Sequence, residues 1–98
     1  MFRKREPQEL PKPPAASDPS SKEVLRVWNT PAGVQVILNP TWEDPAAWGL
    51  LLVDLARHAA NAYGREGEDR QRALARIRQL FDAEWNAPTD TPKDITGS

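Results

Sequence analysis

The sequence predicts a small α+β domain in which an antiparallel β-hairpin is followed by an antiparallel two-helix hairpin, ββαα. Three observations carry this reading. Two short runs rich in β-branched residues flank Pro31-Ala32-Gly33, an Asp44-Pro45 pair opens an apolar repeat at helical spacing, and a second such repeat follows Gly64-Arg65-Glu66-Gly67.

The hairpin comes first. Val24-Leu25-Arg26-Val27-Trp28 and Val34-Gln35-Val36-Ile37-Leu38 have the composition of strands. Thr30-Pro31-Ala32-Gly33 places proline where a type I turn wants φ near −65° and glycine where the next residue takes positive φ. Alternation puts Leu25 and Val27 on one face and Val24, Arg26 and Trp28 on the other, with Val34, Val36 and Leu38 opposed to Gln35 and Ile37. Both faces therefore carry apolar side chains.

In the first helix Asp44 can cap free amides, and Pro45 fits the first helical position, where a missing N–H costs nothing. The helix is expected to run to about Tyr63 and to stop at Gly64. Trp48, Leu51, Leu52, Leu55, Ala59, Ala62 and Tyr63 make one stripe, facing the hairpin or the second helix. Leu50 and Val53 project from the other side, so the first half is apolar nearly all round. The second helix should open near Gly67 or Glu68 and end near Trp85 or Asn86. Its stripe is Ala73, Leu74, Ile77, Leu80, Phe81 and Trp85, and its opposite face shows Arg65, Arg72 and Arg76. A four-residue connection folds the helices back on each other.

These elements occupy residues 23–86 of 98, as one domain. Seven of ten prolines lie before residue 20 or after residue 87, so residues 1–22 read as a disordered arm and residues 87–98 as a polar tail. Pro11-Lys12-Pro13-Pro14 could form a short polyproline II segment, though such termini are usually solvated tails. The basic start Met1-Phe2-Arg3-Lys4-Arg5 runs into Glu6-Pro7-Gln8-Glu9 rather than an apolar stretch, which points to the cytoplasm. With no cysteine there are no disulfides, thiolate nucleophiles or sulfur-ligated zinc. No window is apolar enough to span a membrane. Thirteen basic and fourteen acidic side chains leave a net charge of −1, which disfavours nucleic acid as a partner.

An ordered part this short is marginal as a lone core, and a two-stranded hairpin has two open edges. A symmetric homodimer answers both problems, with Leu50, Val53 and Trp28 as candidate contacts.

Candidate site residues are few. His58, the sole histidine, stands one turn after Asp54, a spacing that allows an i, i+4 hydrogen bond and base chemistry. No nucleophile, oxyanion donor or set of metal ligands accompanies the pair, so catalytic and metal sites are both expected to be absent, as is a cofactor. Among four tryptophans, Trp28, Trp48 and Trp85 are explained by packing. Trp42, in the loop before the first helix, is either a lid over the core or a partner contact. Glu66, Glu68 and Asp69 dilute the arginine face, which reads as solvated.

Long words of the chain carry a resemblance. They are Glu23-Val24-Leu25-Arg26-Val27-Trp28; Asp44-Pro45 with Trp48-Gly49-Leu50-Leu51-Leu52-Val53-Asp54-Leu55-Ala56-Arg57-His58-Ala59-Ala60; Ala73-Leu74-Ala75-Arg76-Ile77-Arg78-Gln79-Leu80-Phe81-Asp82-Ala83-Glu84; and Pro88-Thr89-Asp90-Thr91. The sequence resembles an alphaproteobacterial family of short proteins, the domain-of-unknown-function family numbered 5076, over nearly all of residues 23–91. The resemblance implies no activity. It does imply that Trp48-Gly49, Asp54, Arg57-His58 and Pro88-Thr89-Asp90-Thr91 matter for fold or function. The leading functional expectation is a non-enzymatic cytoplasmic homodimer that binds another macromolecule, such as an unidentified protein. The alternative is a small-molecule pocket at the dimer interface between hairpin and first helix, lined by Trp42, Trp48, Arg57 and His58. An enzyme using Asp54 and His58 ranks third.

Overall fold

The computed structural model of the protein describes residues 6–87 and, by backbone alone, residues 93–94. The basic start at residues 1–5 and the Pro88-Thr89-Asp90-Thr91 segment lie outside the described residues. Strands β1 (Leu25–Thr30) and β2 (Gly33–Leu38) form the expected antiparallel hairpin, and helices α1 (Ala46–Arg65) and α2 (Arg70–Asn86) follow it. The fold is α+β, ββαα, as the sequence predicts.

Hairpin register runs from Leu25 opposite Leu38 to Thr30 opposite Gly33. Directly opposed residues share a face, so Leu25, Val27, Val34, Val36 and Leu38 form one apolar face. Pro31 and Ala32 make the turn, and Gly33 takes the positive φ expected of it, 117°. The Thr30 hydroxyl ties the turn by accepting from the Ala32 N–H (3.2 Å) and donating to the Gly33 carbonyl (2.7 Å). A third strand was not expected. Lys93–Asp94 (β3) pairs parallel with β2, so β2 is the centre of a three-stranded sheet within what reads as a polar tail.

Before the sheet, Pro13 keeps an extended backbone (φ −69°, ψ 158°) and Pro14–Ser17 closes one turn of 3₁₀ helix. Every side chain from residue 6 to residue 23 is exposed.

The start of α1 follows the sequence signal, with the Asp44 carboxylate accepting from the Ala46 N–H at 2.9 Å. Its stop does not. Gly64 lies inside the helix, and the chain turns at Gly67, φ +95°. There Glu68 N–H donates to the Tyr63 carbonyl (3.1 Å) and Gly67 N–H to that of Gly64 (3.2 Å), the paired bonds of a Schellman motif. Gly64 has a different use: a Cβ there would lie 3.2 Å from the Arg70 Cβ, so it permits close approach of the two helices at their turn. Helix α2 also opens later than predicted, at Arg70, because Asp69 caps it by accepting from Gln71 N–H (2.9 Å) and Arg72 N–H (3.2 Å).

The larger correction concerns packing. Strand contacts strand and helix contacts helix, but no strand residue approaches either helix within 8 Å between Cα atoms. The α1 stripe therefore faces α2 and not the hairpin of its own chain. Among the described residues only Ala60 is fully buried, where α1 carries its run of alanines. Leu52 and Leu55, assigned to the buried stripe by spacing, are exposed, as are Leu80, Phe81 and Trp85 of α2.

Candidate interaction surface

Residues 39–45 separate the hairpin from the helices, and local bonds fix their path. The Asn39 side chain accepts from the Thr41 N–H at 3.0 Å while Thr41 takes a left-handed backbone, φ +62°, uncommon for a β-branched residue. The Pro40 carbonyl accepts twice, from the Trp42 N–H at 2.6 Å and from the Trp48 indole Nε1–H at 3.0 Å. Trp42 then meets Trp48 edge to face, ring centroids 5.6 Å apart at 74°. Of the two roles expected of Trp42, the lid is not formed, since the ring stays 42% exposed and sits over no core. It is a partly exposed brace against the first turn of α1.

The polar candidates are not gathered into a cleft. Asp54, Arg57 and His58 are all exposed on α1. The spacing allows an Asp54–His58 hydrogen bond, but none is formed in the structure. Among the described residues no hairpin strand residue comes within 8 Å of α1 between Cα atoms, so the side chains of Arg57 and His58 are not brought to the hairpin of their own chain. The structure brings Trp42 and Trp48 together and leaves Arg57 and His58 outside that contact. Among the described residues no group of three His, Asp or Glu side chains is placed to hold a metal ion.

Two open depressions lie elsewhere. One follows the N-terminal part of α2, from Tyr63 past Asp69 and Arg72 to Ile77. The other is lined by residues 6–13 and by residues 25–31 of β1 and its turn. Trp28 lines this second groove and is half-buried there.

Many large apolar side chains are exposed as well. Leu50 is 74% exposed and Trp85 73%, and Val53, Val27 and Val34 are each about half exposed. Sequence spacing singled out Leu50 and Val53 but missed the distal half of α2, because Leu80, Phe81 and Trp85 continue a stripe whose first half, Ala73, Leu74 and Ile77, is covered by α1. Phe81 and Trp85 stack on each other, centroids 5.5 Å apart with 21° between their planes, so the two rings are exposed together. No helix of the described chain is long and apolar enough to cross a membrane.

Comparisons with known proteins agree with the architecture. A solved structure described as that of a candidate pyruvate dehydrogenase from the photosynthetic bacterium Rhodopseudomonas palustrus CGA009 is 41% identical, with a TM-score of 0.75, over 90% of this chain and 93% of that one. No curated protein matches. The profile of one family, a domain of unknown function, matches residues 9–89, which takes in part of the arm as well as all of the hairpin and both helices. This chain belongs to the DUF5076 family.

Proposed function

We propose that the protein works as a cytoplasmic homodimer that binds another macromolecule, and that it is not an enzyme. One observation carries the proposal: the single chain leaves too much surface open. It exposes 9344 Å², against roughly 5600 Å² for a compact folded monomer of this mass. Its radius of gyration is 16.3 Å, against about 13 Å for a compact chain of this length. The exposed residues 6–23 account for part of the excess. Exposed apolar side chains of the sheet and helices add to it, surface of the kind that other proteins bury, and a second copy is the commonest cover.

A binding role is favoured over catalysis because the best acid–base pair, Asp54 and His58, is exposed and unjoined. The dehydrogenase activity in the description of the Rhodopseudomonas structure is not carried over, since no acid–base group of the described residues is set against another in a cleft. Protein is favoured over nucleic acid as the macromolecule because the net charge is −1 and Leu50, Phe81 and Trp85 are apolar anchors of the kind found at protein interfaces. The cytoplasm fits a chain without cysteine, which needs no oxidising compartment to fold.

Light scattering behind a sizing column, on the full chain and on Leu50→Glu, tests the reading. A mass twice that of the chain, falling toward one chain in the variant, supports it; a wild-type mass of one chain overturns it.

A further inference from the structure

The geometry points to an exchanged dimer, in which the apolar face of each hairpin covers the exposed apolar face of the partner's helices. This inference rests on the proposed homodimer and specifies how it is built. Three observations carry it.

First, the hairpin cannot readily cover its own helices. Seven residues join β2 to α1, and they contain two prolines, the left-handed Thr41, the Pro40 carbonyl bonded to both tryptophans, and the Asp44 cap. Folding the hairpin back would break the Pro40–Trp48 bond and the Trp42–Trp48 contact together. Second, β3 occupies the free side of β2, so joining two sheets edge to edge at β2 would displace it. The apolar hairpin face stays available. Third, the two open faces match in kind. The hairpin offers Val27 and Val34 with their half-buried neighbours, and the helices offer Leu52 and Leu55 of the α1 stripe with Phe81 and Trp85 of the α2 stripe. A sheet face packed on helices is the standard layering of an α+β domain, and a twofold axis lets the same contact form twice. The surplus surface is large enough to supply it, since a stable homodimer commonly buries 2000 Å² or more in total, roughly 1000 Å² from each chain.

The test uses the absence of cysteine. A nitroxide is attached at Asn29→Cys, an exposed polar position on the apolar hairpin face, and this chain is mixed with an isotope-labelled wild-type chain whose amide signals are read. Loss of intensity in the partner's α1 around Leu52 and Leu55 and α2 around Phe81 is the expected result. The reciprocal label at Asp54→Cys should broaden partner strand residues around Val27. Broadening confined to strands in the first sample and to helices in the second means like packs on like, and overturns the exchange. So does a sample of dimer mass with no broadening between chains. A sample with the mass of a single chain overturns the homodimer itself, and the exchange with it.

Discussion

Trp42 and Trp48 meet edge to face at 5.6 Å while the Trp48 indole N–H holds the Pro40 carbonyl at 3.0 Å. Two tryptophans six residues apart thus fix the angle at which the hairpin leaves the helices. Trp48→Phe keeps most of the ring and removes the donor, so it should destabilise the protein by about 0.5–1.5 kcal/mol in urea unfolding. Trp42→Ala should cost a similar amount for the lost ring contact, about 0.5–1.5 kcal/mol beyond lost burial. Because both act on one joint, the double variant should cost less than the two single changes added together.

Gly67 ends α1 with φ +95°, and the Glu68–Tyr63 and Gly67–Gly64 bonds depend on that turn. Gly67→Ala forces a side chain into the left-handed region and should cost about 1 kcal/mol in thermal unfolding.

Asp69 holds the first amides of α2. Asp69→Ala should lower stability by about 1 kcal/mol, with faster amide exchange at Gln71 and Arg72, while Asp69→Asn should retain most of the cap.

Asp18 accepts from the backbone N–H of Ser20 at 2.9 Å and from its hydroxyl at 2.8 Å. The backbone bond first, then the hydroxyl, hold its carboxyl below the ordinary aspartate value. A lowered carboxyl favours the folded turn above the ordinary value, and that contribution is lost as pH falls through the lowered one. In a carboxyl-detected NMR titration Asp18 should titrate below the ordinary aspartate value. Ser20→Ala should bring it only part of the way back, because the backbone donor remains.

Much of the fold was legible because its signals are local. Pro31 and Gly33 announce a turn, Asp44-Pro45 a helix start, and the leucine spacing two helices. The stop of α1 was misplaced because two glycines stand three residues apart, and sequence does not say which one the paired Tyr63 and Gly64 carbonyls will select. β3 has no signal at all, since two polar residues show no alternation. The braced joint was equally hidden: Trp42 could be recognised as unexplained, but a bond from Trp48 to a carbonyl eight residues earlier has no pattern. Most consequential is the gap between hairpin and helices. Periodicity shows that a face is apolar and is silent on which chain covers it.

The most direct test of the central claim, that a second copy completes this fold, is equilibrium urea unfolding of the full chain at protein concentrations about a hundredfold apart. If folding and pairing are one process, mass action raises the midpoint with concentration, and far-UV and tryptophan signals move together. An unfolding midpoint that does not change with concentration, in a protein with the mass of one chain throughout, would contradict the account.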